Sequence, residues 1–267
     1  MFALITKTHT LRQFLRHFFT AKRRGHGVHS PFAYRLCEEV LYSKDVFYDF
    51  AVLQQIREEL LHDKQLLEVD DYGAGSKTFN GKKRLVKNIV KKGISTRRQS
   101  EFIYRLINFL NSKNCLEIGT SLGLNALYMA KANQAGRVTT VEGSYVLWKF
   151  AVDLGSRYHT PTINYLHGTF DAILPELLNS SVPFDFIYID GNHTYEATLR
   201  YFKMGLLKNS ESSVFMIDDV YWSPDMTKAW NEIKSNPLVS MSIDCFYFGL
   251  VFFNREIKEK VDLTLYF

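Results

Sequence analysis

Apolar residues along this chain switch between a helical and a strand period, and from Thr96 onward the switching is regular. Phe102, Ile103, Leu106, Phe109 and Leu110 predict a helix, and the apolar run through Cys115 to Ile118 predicts a strand after it. Asn125 to Lys131 continues as a helix. Arg137 to Glu142 reads as a second strand, followed by a helix lined by Val146, Leu147, Phe150, Ala151 and Leu154. Thr162 to Leu166 is a third strand with a short helix over Ala172 to Leu178. Phe184 to Asp190 is a fourth, followed by a helix on Tyr195, Leu199, Phe202 and Leu206. Ser213 to Asp218 is a fifth, with its helix on Met226, Ala229, Trp230 and Ile233, and Ile243 to Phe253, broken at Gly249, predicts a closing β-hairpin. Strands alternating with helices predict an α/β fold: a doubly wound, mostly parallel, seven-stranded sheet with ligands at the carboxyl ends of its strands.

The first 95 residues follow no such alternation and read as a helical extension to a domain over 96–267. Leu11, Phe14, Leu15, Phe18 and Phe19 fall at helical spacing beside Arg12 and Arg16, with Lys22, Arg23 and Arg24 beyond. A basic amphipathic helix of this kind can lie on a membrane. The expectation here is that its stripe packs on the rest of its own protein. Such a start could also pair subunits, making a homodimer. Gly25 to Ser30 (GHGVHS) reads as a loop, and Ser30-Pro31 as the N-cap and first residue of a helix carrying Phe32, Leu36 and Val40. A further helix is expected around Phe50 to Leu61. Leu66 to Ser76 (LLEVDDYGAGS) looks like a strand entering a glycine turn. No second strand or acid follows where a nucleotide-binding unit needs them, so it reads as a turn or lid and not as a cofactor site.

Charge divides the chain as the patterning does. Residues 1–98 hold 19 Lys and Arg against 10 Asp and Glu, whereas 99–267 hold 14 against 18. From Lys82 to Arg98 there are eight basic residues and no acid. That run could attract nucleic acid, acidic lipid or an anionic substrate, or simply be a solvated face. No aromatics interleave its cations, as a base-stacking surface requires. Cys37, Cys115 and Cys245 are an odd number without metal-ligand spacing, which suggests buried free thiols and a cytoplasmic setting. No apolar stretch is long enough to span a membrane.

Candidate chemistry gathers where the regular pattern begins. Gly119 and Gly123 bracket a polar turn between a strand and a helix N-terminus, an arrangement that aims backbone N–H groups at a nucleotide-like ligand. Glu142 ends the next strand 19 residues after Gly123, where a carboxylate can accept both ribose hydroxyls of an adenosine-containing cofactor. The turn is G-x-x-x-G and lacks G-x-G-x-x-G, which favours a cofactor smaller than a dinucleotide. Asp190 ends the fourth strand, and Asp218 and Asp219 end the fifth. Three carboxylates at adjacent strand ends repel one another unless protons or a cation relieve them. Their hard oxygens suit Mg²⁺, Mn²⁺ or Ca²⁺; alternatively Asp218 or Asp219 caps the following turn. His193, three residues after Asp190, is a candidate base, or an N-cap of the next helix. Tyr221 and Trp222 are candidate walls of an acceptor pocket or loop anchors.

Leu116 to Gly123 (LEIGTSLG), Val141-Glu142-Gly143, His167 to Phe170 with Leu174-Pro175, Ile189 to His193 (IDGNH) and Ile217 to Val220 (IDDV) occur in that order. Over roughly residues 96–253 the chain thereby resembles the class I S-adenosylmethionine-dependent methyltransferases with a Rossmann-like fold. Within them it is similar to the catechol and caffeoyl-CoA O-methyltransferases. The segment around GHGVHSPF, with the later DYGAGS, also resembles bacterial members of that superfamily to which no function attaches. The resemblance implies cofactor contacts at Glu117, Gly119, Thr120, Ser121, Gly123, Glu142, Gly168, Phe170 and Asp190. The turn would wrap the methionine moiety and Phe170 would lie nearest the adenine. It further implies a divalent ion on Asp190, Asp218 and Asp219 that binds the acceptor hydroxyl and lowers its pKa. The chain departs from the pattern at Asp219, where many relatives carry Asn, and at His193, where the catechol enzymes carry Lys.

The expected activity is methyl transfer to the hydroxyl of a small molecule, with Asp190 and His193 as the catalytic pair. A nucleic-acid methyltransferase using the basic 82–98 segment is the first rival. Against it, the fourth strand ends in IDGNH and not in an NPPY-like loop for a flipped base. A cofactor-binding or assembly protein without catalysis is the second, and a dehydrogenase is the least supported.

Overall fold

A computed structural model describes residues 2–23, 28–70, 81–180, 182–257 and 259–267. Gly25, His26, Gly27 and the Asp71–Ser76 turn lie outside the described residues. In chain order the elements are α1 (Phe2–Thr20), α2 (Pro31–Leu36) continued by a π-turn (Cys37–Leu41), α3 (Tyr48–His62), β1 (Leu66–Glu68), β2 (Lys83–Leu85), α4 (Val86–Lys92) and α5 (Arg97–Leu110). There follow β3 (Asn114–Ile118), α6 (Leu124–Ala132), β4 (Arg137–Glu142), α7 (Tyr145–Arg157), β5 (Ile163–His167), α8 (Phe170–Ser180), β6 (Phe186–Ile189) and α9 (Tyr195–Leu206). The chain ends with β7 (Val214–Asp218), α10 (Pro224–Ser235), β8 (Met241–Asp244), β9 (Phe248–Phe252) and β10 (Val261–Thr264).

The main sheet has eight strands in the order β10-β8-β9-β7-β6-β3-β4-β5. The doubly wound, mostly parallel arrangement is as the patterning predicts, and β10 is the strand it missed. Val261 to Thr264 alternates apolar and polar but runs to only four residues, and it pairs in parallel with Met241 to Asp244. β8 and β9 form the expected hairpin, and β9 runs antiparallel to β7.

The chain divides into two compact units. In the unit formed by Lys44–Leu177, β3, β4 and β5 pair in parallel, so that Glu117, Thr140 and Tyr165 share a register. Thr96 caps α5 in a reciprocal box with Gln99, and α5 turns Phe102, Ile103, Leu106 and Ile107 inward. β1 pairs antiparallel with β2, which gives the LLEVDDYGAGS segment the partner strand that the sequence reading lacked. Its partner is the start of the basic run. Within that run Val86, Ile89 and Val90 of α4 are buried while Lys91 and Lys92 are exposed, so the cations there are the outer face of a helix.

In the unit formed by Met1–Ser43 with Leu178–Phe267, Ser30 caps α2 ahead of Pro31, Thr194 caps α9 and Ser223 caps α10 ahead of Pro224. β6, β7, β8 and β9 are buried at every residue, as strands covered on both faces must be. α1 contradicts the expectation for its stripe. His17 is buried, whereas Leu11, Phe14, Leu15, Phe18 and Phe19 are all exposed.

Candidate functional site

In the Lys44–Leu177 unit, β3 delivers the chain into a turn that needs unusual backbone. Gly119 has φ +111° and Gly123 φ +82°, and Ser121 between them is also left-handed at φ +49°. A side chain at Gly123 would be strained there, and its Cβ would come within 2.9 Å of Ala151 Cβ on α7. The turn is tied to β4 by the Gly119 and Thr120 N–H groups, which donate to the Val141 carbonyl at 3.1 and 3.2 Å. Beneath it, Thr140 Oγ1 donates to Glu117 Oε2 at 2.6 Å and lies 2.6 Å from Thr120 Oγ1. Glu117 is fully buried, so it braces the turn from below through these two hydroxyls.

Glu142, half-buried at the end of β4, closes the turn from the side. Its Oε2 accepts from the Ser121 N–H at 2.8 Å and its Oε1 from the Ser144 N–H at 2.9 Å. These two N–H groups hold the carboxylate against the glycine turn. Across β5, Gly168 (φ +150°) donates to the Glu142 carbonyl at 3.0 Å, and Phe170, half-buried, opens α8. A Cβ at Gly168 would meet Ile173 at 2.9 Å. The sequence reading overlooked one feature beside Glu142. Tyr145, Trp148 and His167 form a ring cluster with both Tyr145 and Trp148 at 5.5 Å from the His167 ring, and Tyr145 is largely exposed. The signal available was an aromatic within a few residues of each of two neighbouring strand ends.

In the other unit, β6 and β7 end in the acidic residues. Tyr188 Oη donates to Asp190 Oδ2 at 3.2 Å, and His193 Nε2 lies 3.6 Å from Asp190 Oδ1. The His193 ring in turn lies 5.6 Å from the Trp222 ring. Burial, the largest cause, pushes the Asp190 carboxyl above its ordinary value; His193 opposes this and Asp219 adds to it. Asp218 is pushed well above, by burial first and then by the charges of Asp190 and Asp219. The charges of Asp190, Asp218 and Asp219 thus oppose one another's ionisation. Asp219 is left-handed at φ +53°, its N–H donating to the Tyr247 carbonyl at 2.7 Å. Tyr221 is a loop anchor, its hydroxyl donating to Asp244 Oδ2 at 2.5 Å.

The carboxylates at these two strand ends are hard oxygen donors. Asp218 Oδ1 is buried without a hydrogen-bond partner, and such an oxygen is relieved by a cation or by a proton. Among the described residues, no three His, Cys, Asp or Glu side chains are already gathered at metal-holding distances.

Residues 116–220 match a protein family described as a methyltransferase domain, on a Rossmann-like methyltransferase fold. Similar to the chain is a protein of Arabidopsis thaliana named as a candidate caffeoyl-CoA O-methyltransferase, 25% identical over 135 residues that make up 46% of this chain and 53% of that protein. The match spans about half the length of that relative. Two solved structures share the fold. The O-methyltransferase TomG of Streptomyces achromogenes, in complex with S-adenosylmethionine, has a TM-score of 0.55 at 19% identity, covering 61% of this chain and 82% of that one. An O-methyltransferase of Bacillus cereus, in complex with S-adenosylhomocysteine, has a TM-score of 0.53 at 20% identity, covering 82% and 96%.

Proposed function

We propose that the protein is an S-adenosylmethionine-dependent methyltransferase acting on a hydroxyl of a small molecule. The observation that carries this reading is Glu142, whose carboxylate is fixed at the end of β4 beside the glycine turn by the Ser121 and Ser144 N–H groups. In this reading Gly119, Thr120, Ser121 and Gly123 wrap the methionine end, and Glu117 positions them from below. Glu142 accepts from the ribose hydroxyls, and Gly168 and Phe170 flank the adenine, with the Tyr145–Trp148–His167 rings as a further apolar wall. The cofactor supplies a sulfonium methyl that is already electrophilic. What remains for the protein is to align an oxygen behind it and remove that oxygen's proton.

Asp190, Asp218 and Asp219 are the residues we assign to a divalent ion, which would act as a Lewis acid on the acceptor hydroxyl. The unpartnered Asp218 Oδ1 supports this assignment. His193, oriented by Asp190, takes the acceptor proton. The helical residues 1–95 are our choice for the part that shapes the acceptor site. Three buried free thiols support a cytoplasmic location, and among the described residues no helix is long and apolar enough to cross a membrane.

The test is release of S-adenosylhomocysteine from S-adenosylmethionine with catechol-type diols as probe acceptors. Asp190→Ala should lower turnover by about a hundredfold or more, and EDTA should inhibit the wild type. Turnover untouched by Asp190→Ala would remove the carboxylate cluster from the mechanism. Turnover undiminished by EDTA and dialysis would remove the metal alone.

A further inference from the structure

α1 meets the protein through His9, Thr10 and His17, with Phe14 edge-on to the buried Phe246 ring at 5.3 Å. His9 Nε2 lies 2.8 Å from Thr227 Oγ1, Thr10 Oγ1 donates to the Tyr221 carbonyl at 3.2 Å, and His17 lies between the Leu265 carbonyl at 3.1 Å and Asp244 at 3.4 Å. These residues fall on one helical face. The opposite face carries Leu11, Leu15 and Phe19 at successive i, i+4 positions, and they are 59%, 47% and 80% exposed. Phe14 and Phe18 border them, and Tyr266, part-exposed, lies edge-on to Phe18. An amphipathic helix normally buries this stripe, because apolar surface is driven out of water. Here the fold has spent its hydrogen bonds to turn the stripe outward.

Charge identifies what covers it. Between residues 2 and 24 there are six Lys and Arg and no Asp or Glu. Arg12, Arg16, Lys22 and Arg23 are exposed, Arg23 lying over the Phe18 and Tyr266 rings at 4.9 and 4.8 Å. The acid that α1 touches, Asp244, is buried on its inward face. Two copies pairing through this stripe would bring cations against cations with no acid from either helix to answer them. An anionic bilayer surface takes both features at once: acyl chains receive the Leu and Phe side chains, while the lipid phosphates meet the flanking Arg and Lys. Aromatic rings beside cations are also the composition of an interfacial anchor.

We propose that α1 is an in-plane membrane anchor that docks this protein on anionic lipid. The docking does not depend on the methyl-transfer reading.

The test is flotation of the full chain with phosphatidylcholine vesicles, either pure or carrying about one third phosphatidylglycerol. Sedimentation velocity without lipid runs in parallel. Expected is binding to the anionic vesicles that weakens as salt is raised and is nearly absent on pure phosphatidylcholine. The double variant Arg12→Glu/Arg16→Glu should reduce it by roughly tenfold or more. The triple variant Leu11→Ser/Leu15→Ser/Phe19→Ser should reduce it by at least as much while its far-ultraviolet circular dichroism and melting transition stay like the wild type, since all three positions are exposed. Equal flotation on both lipids, no flotation at all, or a dimer that the triple variant converts to monomer would each overturn the proposal. The last outcome would assign the face to a second copy of the chain.

Discussion

Asp244 shows how much a single buried carboxylate can carry in this molecule. Burial alone would raise its pKa, but the His17 ring at 3.4 Å and hydrogen bonds from Tyr221, the Phe246 N–H and the Trp230 indole outweigh that and hold it below the ordinary aspartate range. A depressed folded-state pKa contributes stability that is complete above the unfolded value and is lost as pH falls through the folded one. Melting temperature should therefore drop on acidification below about pH 4, where an unperturbed aspartate titrates. Asp244→Asn should be less stable at neutral pH and show a flatter acid limb, as thermal scans across that range would register. None of this was legible in the sequence, where Asp244 is one polar residue in a strand and three of its four partners come from other segments. Glu142, Asp190, Asp218 and Asp219 were legible, because each closes an apolar run and so marks a strand end. The rise in pKa at Asp190 and Asp218 was not, since the burial that causes it depends on packing.

Elements were easiest to read where both faces of a segment are constrained. The strands of the main sheet other than β10, and the helices after them, followed from apolar runs alternating with helical spacing. α1 had an equally clear stripe and went the other way. Periodicity reports that a helix has two faces, and hydrogen bonds from His9, Thr10 and His17 decided which one turned inward. β9 gives a similar lesson at Gly249. The sequence suggested a break in a hairpin, yet the strand continues through it. A Cβ there would lie 2.4 Å from the buried Trp230 ring, so the glycine is required by close approach and not by a turn. Gly249→Ala should cost about 1–3 kcal/mol through overpacking, seen as a lower denaturant midpoint with an unchanged slope. An unchanged midpoint would mean that α10 shifts away freely.

For the molecule as a whole, the regular βα alternation announced the doubly wound sheet, whereas the first 95 residues, which do not alternate, yielded helices but not all of the partners of their inward faces. α3 illustrates this: Leu53, Ile56 and Leu60 face inward as expected, but so does Arg57, which donates to Ser100 Oγ at 3.0 Å. The central claim, that the glycine turn and Glu142 form a site for an adenosyl methyl donor, is tested most directly by titration calorimetry of S-adenosylmethionine and S-adenosylhomocysteine into the full chain. The account predicts saturable binding of both, weakened roughly tenfold to a hundredfold by Glu142→Ala through the loss of hydrogen bonds to a charged acceptor. Absence of binding to the wild type, or binding that Glu142→Ala leaves unchanged, would contradict it.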